Sequence, residues 1–214
     1  MARPNRSLPH RAASRFGAGL GPLATLAALA GACVSAPRVP PPEVAARARS
    51  ASSYSATLRV DLRGLEVKGR ARALLGFRRP DALRIELPGP AGPRLLVVAR
   101  GGTLVAVFPA EGAFFTAPAT APEMESLFGV ALAPTELGDL LLGVGPARLP
   151  RYEASWGRTL PREVRATFAG GARLTLRVED AELNPSFPEA AFDAPPHEGF
   201  RAVDAKEARR LWLR

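Results

Sequence analysis

Cys33 is the residue with the clearest chemistry in this sequence. It is the single cysteine among 214 residues, so it cannot close an intramolecular disulfide, and an exported chain gains little by keeping it unmodified. Two histidines, His10 and His197, complete the set of classical ligands and nucleophiles. Asp61 and Glu66 come nearest to paired carboxylates, and they read as solvated strand and turn residues. The stretches Gly-Pro-Ala-Gly-Pro93 and Gly-Val-Gly-Pro146 contain glycines, but no lysine follows and neither joins a strand to a helix, so no phosphate loop is present.

The surroundings of Cys33 define its reaction. Arg3, Arg6, Arg11 and Arg15 precede it with no acid among them, followed by an apolar run from Phe16 to Ala32. A basic segment followed by a short apolar one is the pattern of an export signal. Gly17, Gly19, Gly21 and Pro22 break the run too often for a spanning helix. Ala30, Gly31, Ala32 and Cys33 resemble the bacterial lipobox, with the departure that the leucine is Leu29 rather than residue 30. In that motif the thiol takes a diacylglycerol and the chain is cut just before the cysteine. Each buried acyl methylene contributes about 0.8 kcal/mol, so two or three chains hold a protein on a membrane. Ordinary secretion with a stray thiol at Cys33 is the less favoured alternative. Because His10 falls in the leader, only His197 would remain, and one histidine beside an acylated cysteine builds neither a zinc site nor a Cys–His pair. No enzyme activity, cofactor or metal is expected.

Four segments follow from this reading: a lipoprotein signal peptide over 1–32, a lipidated proline-rich tether over 33–42, a folded domain over 43–200, and a C-terminal tail over 201–214. Val34 stands where inner-membrane lipoproteins carry aspartate, so the resemblance to that sorting rule implies the periplasmic face of the outer membrane. Subtracting the four leader arginines from a net charge of +9 leaves a modestly basic remainder. Its cations are almost all arginine and are interspersed with acids, as in Arg84-Ile-Glu86. No basic block is interleaved with aromatics, so nucleic acid is not an expected partner.

The elements that would surround any site read as strands first. Glu43–Ser50 is a short alanine-rich helix. Leu58, Val60 and Leu62 then alternate with Arg59, Asp61 and Arg63, the period-two pattern of a half-buried strand. A second strand is expected from Leu65 through Phe77, after a turn at Gly64, and a third holds Leu83, Ile85 and Leu87. Pro88 to Pro93 reads as a loop. Strands over Leu95–Ala99, Thr103–Phe108 and Ala113–Thr116 complete an antiparallel meander. Two amphipathic helices follow, one around Met124, Leu127 and Phe128, the other around Leu137, Leu140 and Leu141. Strands resume at Arg151–Ser155, Pro161–Phe168 and Arg173–Glu179. Phe187, Phe192 and Phe200 lie in a proline-rich stretch expected to cross one end of the sheet, and Asp204–Leu213 reads as a terminal helix.

This order of elements resembles the lipoprotein-localisation superfamily of LolA and LolB. The matching features are Phe77-Arg-Arg-Pro80, Leu83-Arg-Ile-Glu-Leu87, the Gly-Pro-Ala-Gly92 loop, Gly112-Ala-Phe-Phe-Thr-Ala117, Leu127-Phe-Gly129 with Pro134 and Leu142-Gly143, Leu160-Pro161 and Leu183-Asn-Pro. They are spread over most of residues 53–200, and a lipidated cysteine fits LolB better than the soluble carrier LolA. The resemblance implies a mainly β fold with short helices (α+β), an incomplete antiparallel barrel of about 9–11 strands capped by lid helices. It further implies an apolar cavity for the acyl chains of lipoproteins, lined by Leu58, Val60, Leu83, Ile85, Leu87, Val97 and Phe108. Met124, Leu127, Leu137 and Leu141 would line the lid, and Pro90, Ala91 and Gly92 would form a membrane-facing loop. LolB carries a leucine where this chain has Ala91. The partners implied are acylated lipoproteins or lipid, a soluble LolA-like carrier, and the membrane through the anchor, with the chain a monomer. Periodicity alone does not say whether the interior is hollow, so a structural or assembly lipoprotein gripping a protein partner stays open.

Overall fold

The structure is a computed structural model and describes residues 39–64 and 67–214. The expected signal peptide over 1–32, Cys33 with the first part of the expected tether, and residues 65 and 66 lie outside the described residues, and with them the expected acylation of Cys33 and the role of Glu66. Helix α1 (Pro42–Ser50) leads into β1 (Ser53–Arg63), β2 (Lys68–Arg78), β3 (Ala82–Gly89), β4 (Gly92–Arg100), β5 (Thr103–Phe108) and β6 (Ala113–Pro118). Helices α2 (Ala121–Phe128) and α3 (Pro134–Leu141) follow. The chain then forms β7 (Arg151–Trp156), β8 (Pro161–Thr167), β9 (Arg173–Leu183), the short β10 (Arg201–Ala202) and α4 (Ala205–Trp212). The strands make one sheet in the order β10-β6-β5-β4-β3-β2-β1-β9-β8-β7. Only β10 and β6 run parallel among the pairs described. The sheet is open, with β7 and β10 at its edges. This is the mainly β, incomplete-barrel architecture with short helices.

Alternation built this sheet. On β1, Tyr54, Ala56, Leu58 and Leu62 are buried on the inner face while Arg59 and Arg63 are exposed. On β2, Ala73, Leu75 and Phe77 do the same against Arg70 and Arg72. A bulge at Glu179 of β9, where Thr57 faces Asp180 and Leu58 faces Val178, keeps the two strands in phase, so that Leu58, Val60 and Leu62 stand beside Val178, Leu176 and Leu174.

The Pro88–Pro93 stretch departs from its expected loop. Strand β3 continues to Gly89 and β4 begins at Gly92, with Pro88 opposite Pro93 and Gly89 opposite Gly92. The missing proline donors fall beside a register shift after Leu87, at the frayed end of the ladder, where they interrupt little. A Cβ on Gly89 would lie 2.9 Å from the Gly92 carbonyl, and Gly92 has φ +120°, so both glycines are required for so tight a hairpin. The segment after β9 also departs from expectation. Rather than crossing one end, it lies along the outer face. Phe187 and Phe192 pack edge to face 5.1 Å apart over Gly76, and the Arg78 guanidinium sits 4.9 Å from the Phe192 ring. Farther along, Phe200 joins Phe114, Leu96, Val105 and Val107 in a small outer cluster. Strands β4 and β5 are therefore covered on both faces.

Helices α2 and α3 lie against the inner face, burying Met124, Leu127, Leu137, Leu140 and Leu141. Gly129 ends α2 in the left-handed conformation, its N–H donating to the Glu125 carbonyl at 2.8 Å. Gly138 of α3 meets the ring of Phe77 so closely that a Cβ there would stand 2.6 Å from it. Gly138→Ala is therefore expected to push α3 off the sheet and cost about 1–3 kcal/mol. Urea unfolding would show it as a lower midpoint with an unchanged slope.

Candidate functional site

Between the inner face of the sheet and the helices lies a partly open cavity of about 100 Å³. Leu58, Val60 and Leu62 of β1 form one wall, with Ala71, Ala73 and Leu75 of β2 beside them. Ile85 and Leu87 of β3 and Leu174 and Leu176 of β9 extend it on either side. The cover comes from Met124 and Phe128 of α2, Val130 and Leu132 of the following turn, Leu137 of α3 and Trp212 of α4. No lining side chain is charged or hydrogen-bonding apart from the indole of Trp212, and that N–H is committed elsewhere. A dry cavity with such a lining attracts apolar groups and offers nothing to orient a polar one.

The residues proposed from sequence divide between this cavity and the filled core. Leu58, Val60, Ile85 and Leu87 line it, as do Met124 and Leu137 of the lid. Leu83, Val97 and Phe108 are fully buried in the core away from it, and Leu127 and Leu141 pack beneath the lid helices in the same way. Pro90, Ala91 and Gly92 are exposed at the tip of the β3–β4 hairpin. His197 is a packing residue: Nδ1 lies 2.7 Å from the Pro195 carbonyl and the ring is 4.5 Å from that of Phe114. Asp61 sits between Arg63 and Arg70 on the outer face. Among the described residues no cluster of His, Cys, Asp or Glu could hold a metal ion, and no helix is long and apolar enough to cross a membrane.

Sequence reasoning did not assign Trp212 to the site, although α4 carries Ala208, Leu211 and Trp212 on one apolar stripe. Asp204 caps this helix, accepting from the Glu207 N–H at 2.7 Å. The helix then packs on α2 and satisfies the carbonyls that every helix leaves unpaired at its C-terminus. Trp212 Nε1 donates to the Leu127 carbonyl at 2.8 Å, and Arg209 donates to those of Ser126 and Glu125 at 2.7 and 2.8 Å. The indole rests 5.6 Å from the Phe128 ring and reaches Gly69 of β2, where a Cβ would stand 3.3 Å from it. Trp212 is thus one wall of the cavity and the latch between two helices.

The other helix of the cover is held by charge. The Glu136 carboxylate accepts from the Ala133 N–H at 2.7 Å at the start of α3, and Arg148 grips the same carboxylate. Burial pushes this carboxyl up, but the Arg148 guanidinium and the Ala133 N–H outweigh that and hold it below the usual carboxylate range.

No family model matches the chain, and no curated protein matches it. Among solved structures it is similar to an uncharacterized conserved protein from Thermus thermophilus, at 14% identity and a TM-score of 0.44 over 75% of this chain and 96% of that one. A LolA superfamily protein from Nitrosomonas europaea gives 9% identity and a TM-score of 0.40, covering 73% and 98% of the two chains. A DUF1329 family protein from Desulfovibrio piger gives 10% identity and 0.40, covering 74% and 97%.

Two substitutions test this arrangement. Trp212→Ala should cost about 3–5 kcal/mol and open the cavity, raising the fluorescence of an apolar dye bound to the folded protein. Glu136→Gln should weaken α3 by about 0.5–2 kcal/mol at neutral pH. A carboxyl lowered on folding contributes stability above its unfolded value of about 4.3, and loses it as pH falls through the lower folded value. The stability gap between wild type and Glu136→Gln should therefore be full at neutral pH and close as pH falls below the usual carboxylate range, as read by urea titration at each pH.

Proposed function

We propose that this chain is a lipid-anchored, non-catalytic protein of the outer membrane's periplasmic face that receives acyl chains of lipoproteins, in the manner the LolB resemblance implies. The observation that carries this reading is the wholly apolar cavity between the β1–β2–β3–β9 wall and the α2–α3–α4 cover. Transfer of an acyl chain from a carrier into such a space needs no covalent step. It is driven by removing methylenes from water, at about 25 cal/mol per Å² of apolar area. A LolA-like soluble carrier is the partner this scheme requires, and diacylglycerol on Cys33 is the anchor.

The cavity volume sets a condition on the mechanism. Ligand pockets run to about 300–1,000 Å³, whereas this one is about 100 Å³. It admits a short apolar group at once, and a full acyl chain only after the cover moves outward. The same small volume is what favours the second reading, a structural or assembly lipoprotein that binds a protein partner through a filled half-barrel.

Native mass spectrometry separates the two. Ser35–Arg214 forms one compact unit, and its core is drawn from residues 48–212, so it can be produced by itself. Incubated with a triacylated lipopeptide, it should acquire one ligand mass, and Ile85→Trp should abolish that adduct. An unchanged mass in the wild-type unit would reject acyl-chain binding in favour of the partner-binding reading. If the β3–β4 tip touches the bilayer, Ala91→Leu should increase flotation of this unit with neutral vesicles, since a leucine side chain contributes about 1.5–3 kcal/mol on burial. Equal flotation would remove that tip from the membrane.

A further inference from the structure

The outer face of β2, β1, β9 and β8 is left uncovered by the segment that shields β4 and β5, and its side chains follow a pattern that stability alone does not explain. Arg72 lies opposite Arg59, and Arg59 opposite Arg177, so three arginines stand in one row across β2, β1 and β9. Nearer the β1–β2 turn, Lys68, Arg63 and Arg173 form a second such row. Like charges directly opposite across a ladder repel. The acids beside these rows only partly neutralise them, with Asp180 and Glu182 lying farther along the outer face of β9 and Glu153 of β7 opposite Arg165. Glu179 is shared by Arg59 and Arg72, Asp61 by Arg63 and Arg70, and Glu163 by Arg165 and Arg177. Each of these carboxylates thus holds two guanidiniums and leaves one positive charge over.

These guanidiniums are not buried by their ion pairs, since the paired arginine side chains remain 59–76% exposed. Between them lies an open depression of about 690 Å³ lined by Arg59, Arg63, Arg70, Arg72 and Arg177 together with the two acids Asp61 and Glu179. The two cationic rows are four residues, about 13 Å, apart along the strands, and adjacent strands about 4.8 Å apart. The outward positions of this patch hold charged residues and threonines, with no aromatic anchor of the kind that carries protein–protein interfaces. A broad lattice of forked donors without an apolar centre suits a surface of repeated phosphates.

We propose that this face docks on an anionic phospholipid surface, its arginines taking the lipid phosphates. The choice of a membrane as the source of phosphate rests on the anchored reading given above. The chain between Cys33 and Pro42, at no more than ~3.6 Å per residue, cannot carry Pro42 farther than about 30 Å from the headgroups. Docking would then fix the orientation of the sheet on the bilayer, with the apolar cavity on the side turned away from it.

Vesicle co-sedimentation of the unacylated Ser35–Arg214 unit tests this without the anchor, and independently of acyl-chain binding. The unit should sediment with vesicles of phosphatidylcholine and phosphatidylglycerol, release as salt is raised, and stay in solution with phosphatidylcholine alone. The triple variant Arg70→Gln, Arg72→Gln and Arg177→Gln leaves each carboxylate with one arginine. It should keep the wild-type thermal midpoint and lose at least about tenfold in binding to the anionic vesicles. Equal sedimentation with both vesicle types, or undiminished binding by a folded triple variant, would overturn the proposal. Binding to soluble polyglutamate but not to anionic vesicles would overturn it in favour of an acidic protein partner. A failure here with lipopeptide adducts intact would leave the cavity reading standing.

Discussion

Strand β1 forms backbone hydrogen bonds with β2, its neighbour in the chain, and with β9, which arrives only after six more strands and helices α2 and α3. That second seam joins two meanders, β1 to β6 and β7 to β9, into a single sheet. Its register decides what happens on both faces. Inward, it sets Leu174 and Leu176 beside Leu62 and Val60, which completes a wall of the cavity. Outward, it sets Arg177 beside Arg59. A slip of one residue along the seam would exchange the two sets and place guanidiniums in the interior. The bulge at Glu179 of β9, opposite Thr57 and Leu58, holds the phase, so a local irregularity in one strand secures the chemistry of two separate surfaces.

Much of the sheet was legible because period two is a local signal. Leu58, Val60 and Leu62 against Arg59, Asp61 and Arg63 needed no partner strand to be assigned to opposite faces. Helices α2 and α3 were legible for the same reason, through Met124 and Leu127 and through Leu137 and Leu141. The site was less so. Leu83 and Leu87 lie on one strand with one alternation, yet Leu87 lines the cavity and Leu83 is packed solid. The difference lies in what α3 and the other helices place opposite each of them, and periodicity carries no information on that. Trp212 stayed unassigned because its position depends on the chain returning over α2. The Pro88–Pro93 stretch misled by composition, since two glycines let its prolines face each other in a hairpin.

The helical cover buries its apolar faces in the main core, and contacts at the helix ends add direction to that packing. Helices α1, α2 and α3 begin with proline in the first turn and have no side-chain cap at the residue before them, whereas α4 has Asp204. In exchange, Arg209 and Trp212 complete the end of α2, and Glu136 with Arg148 fastens the start of α3. Such end contacts are few and directional. The apolar stripe beneath them is shared with the cavity.

The edges of the sheet have a further effect. An open sheet offers rows of unpaired backbone groups to any neighbouring copy, and that hazard grows when many copies are confined to a plane. Here β10 covers only Ala113 and Phe114 at the start of β6, which ends at Pro118, and β7 presents Arg151 and Glu153 at the other edge. Short, proline-ended and charged borders resist strand-to-strand polymerisation. The half-barrel can therefore stay open without presenting the plain β edge that would nucleate fibrils.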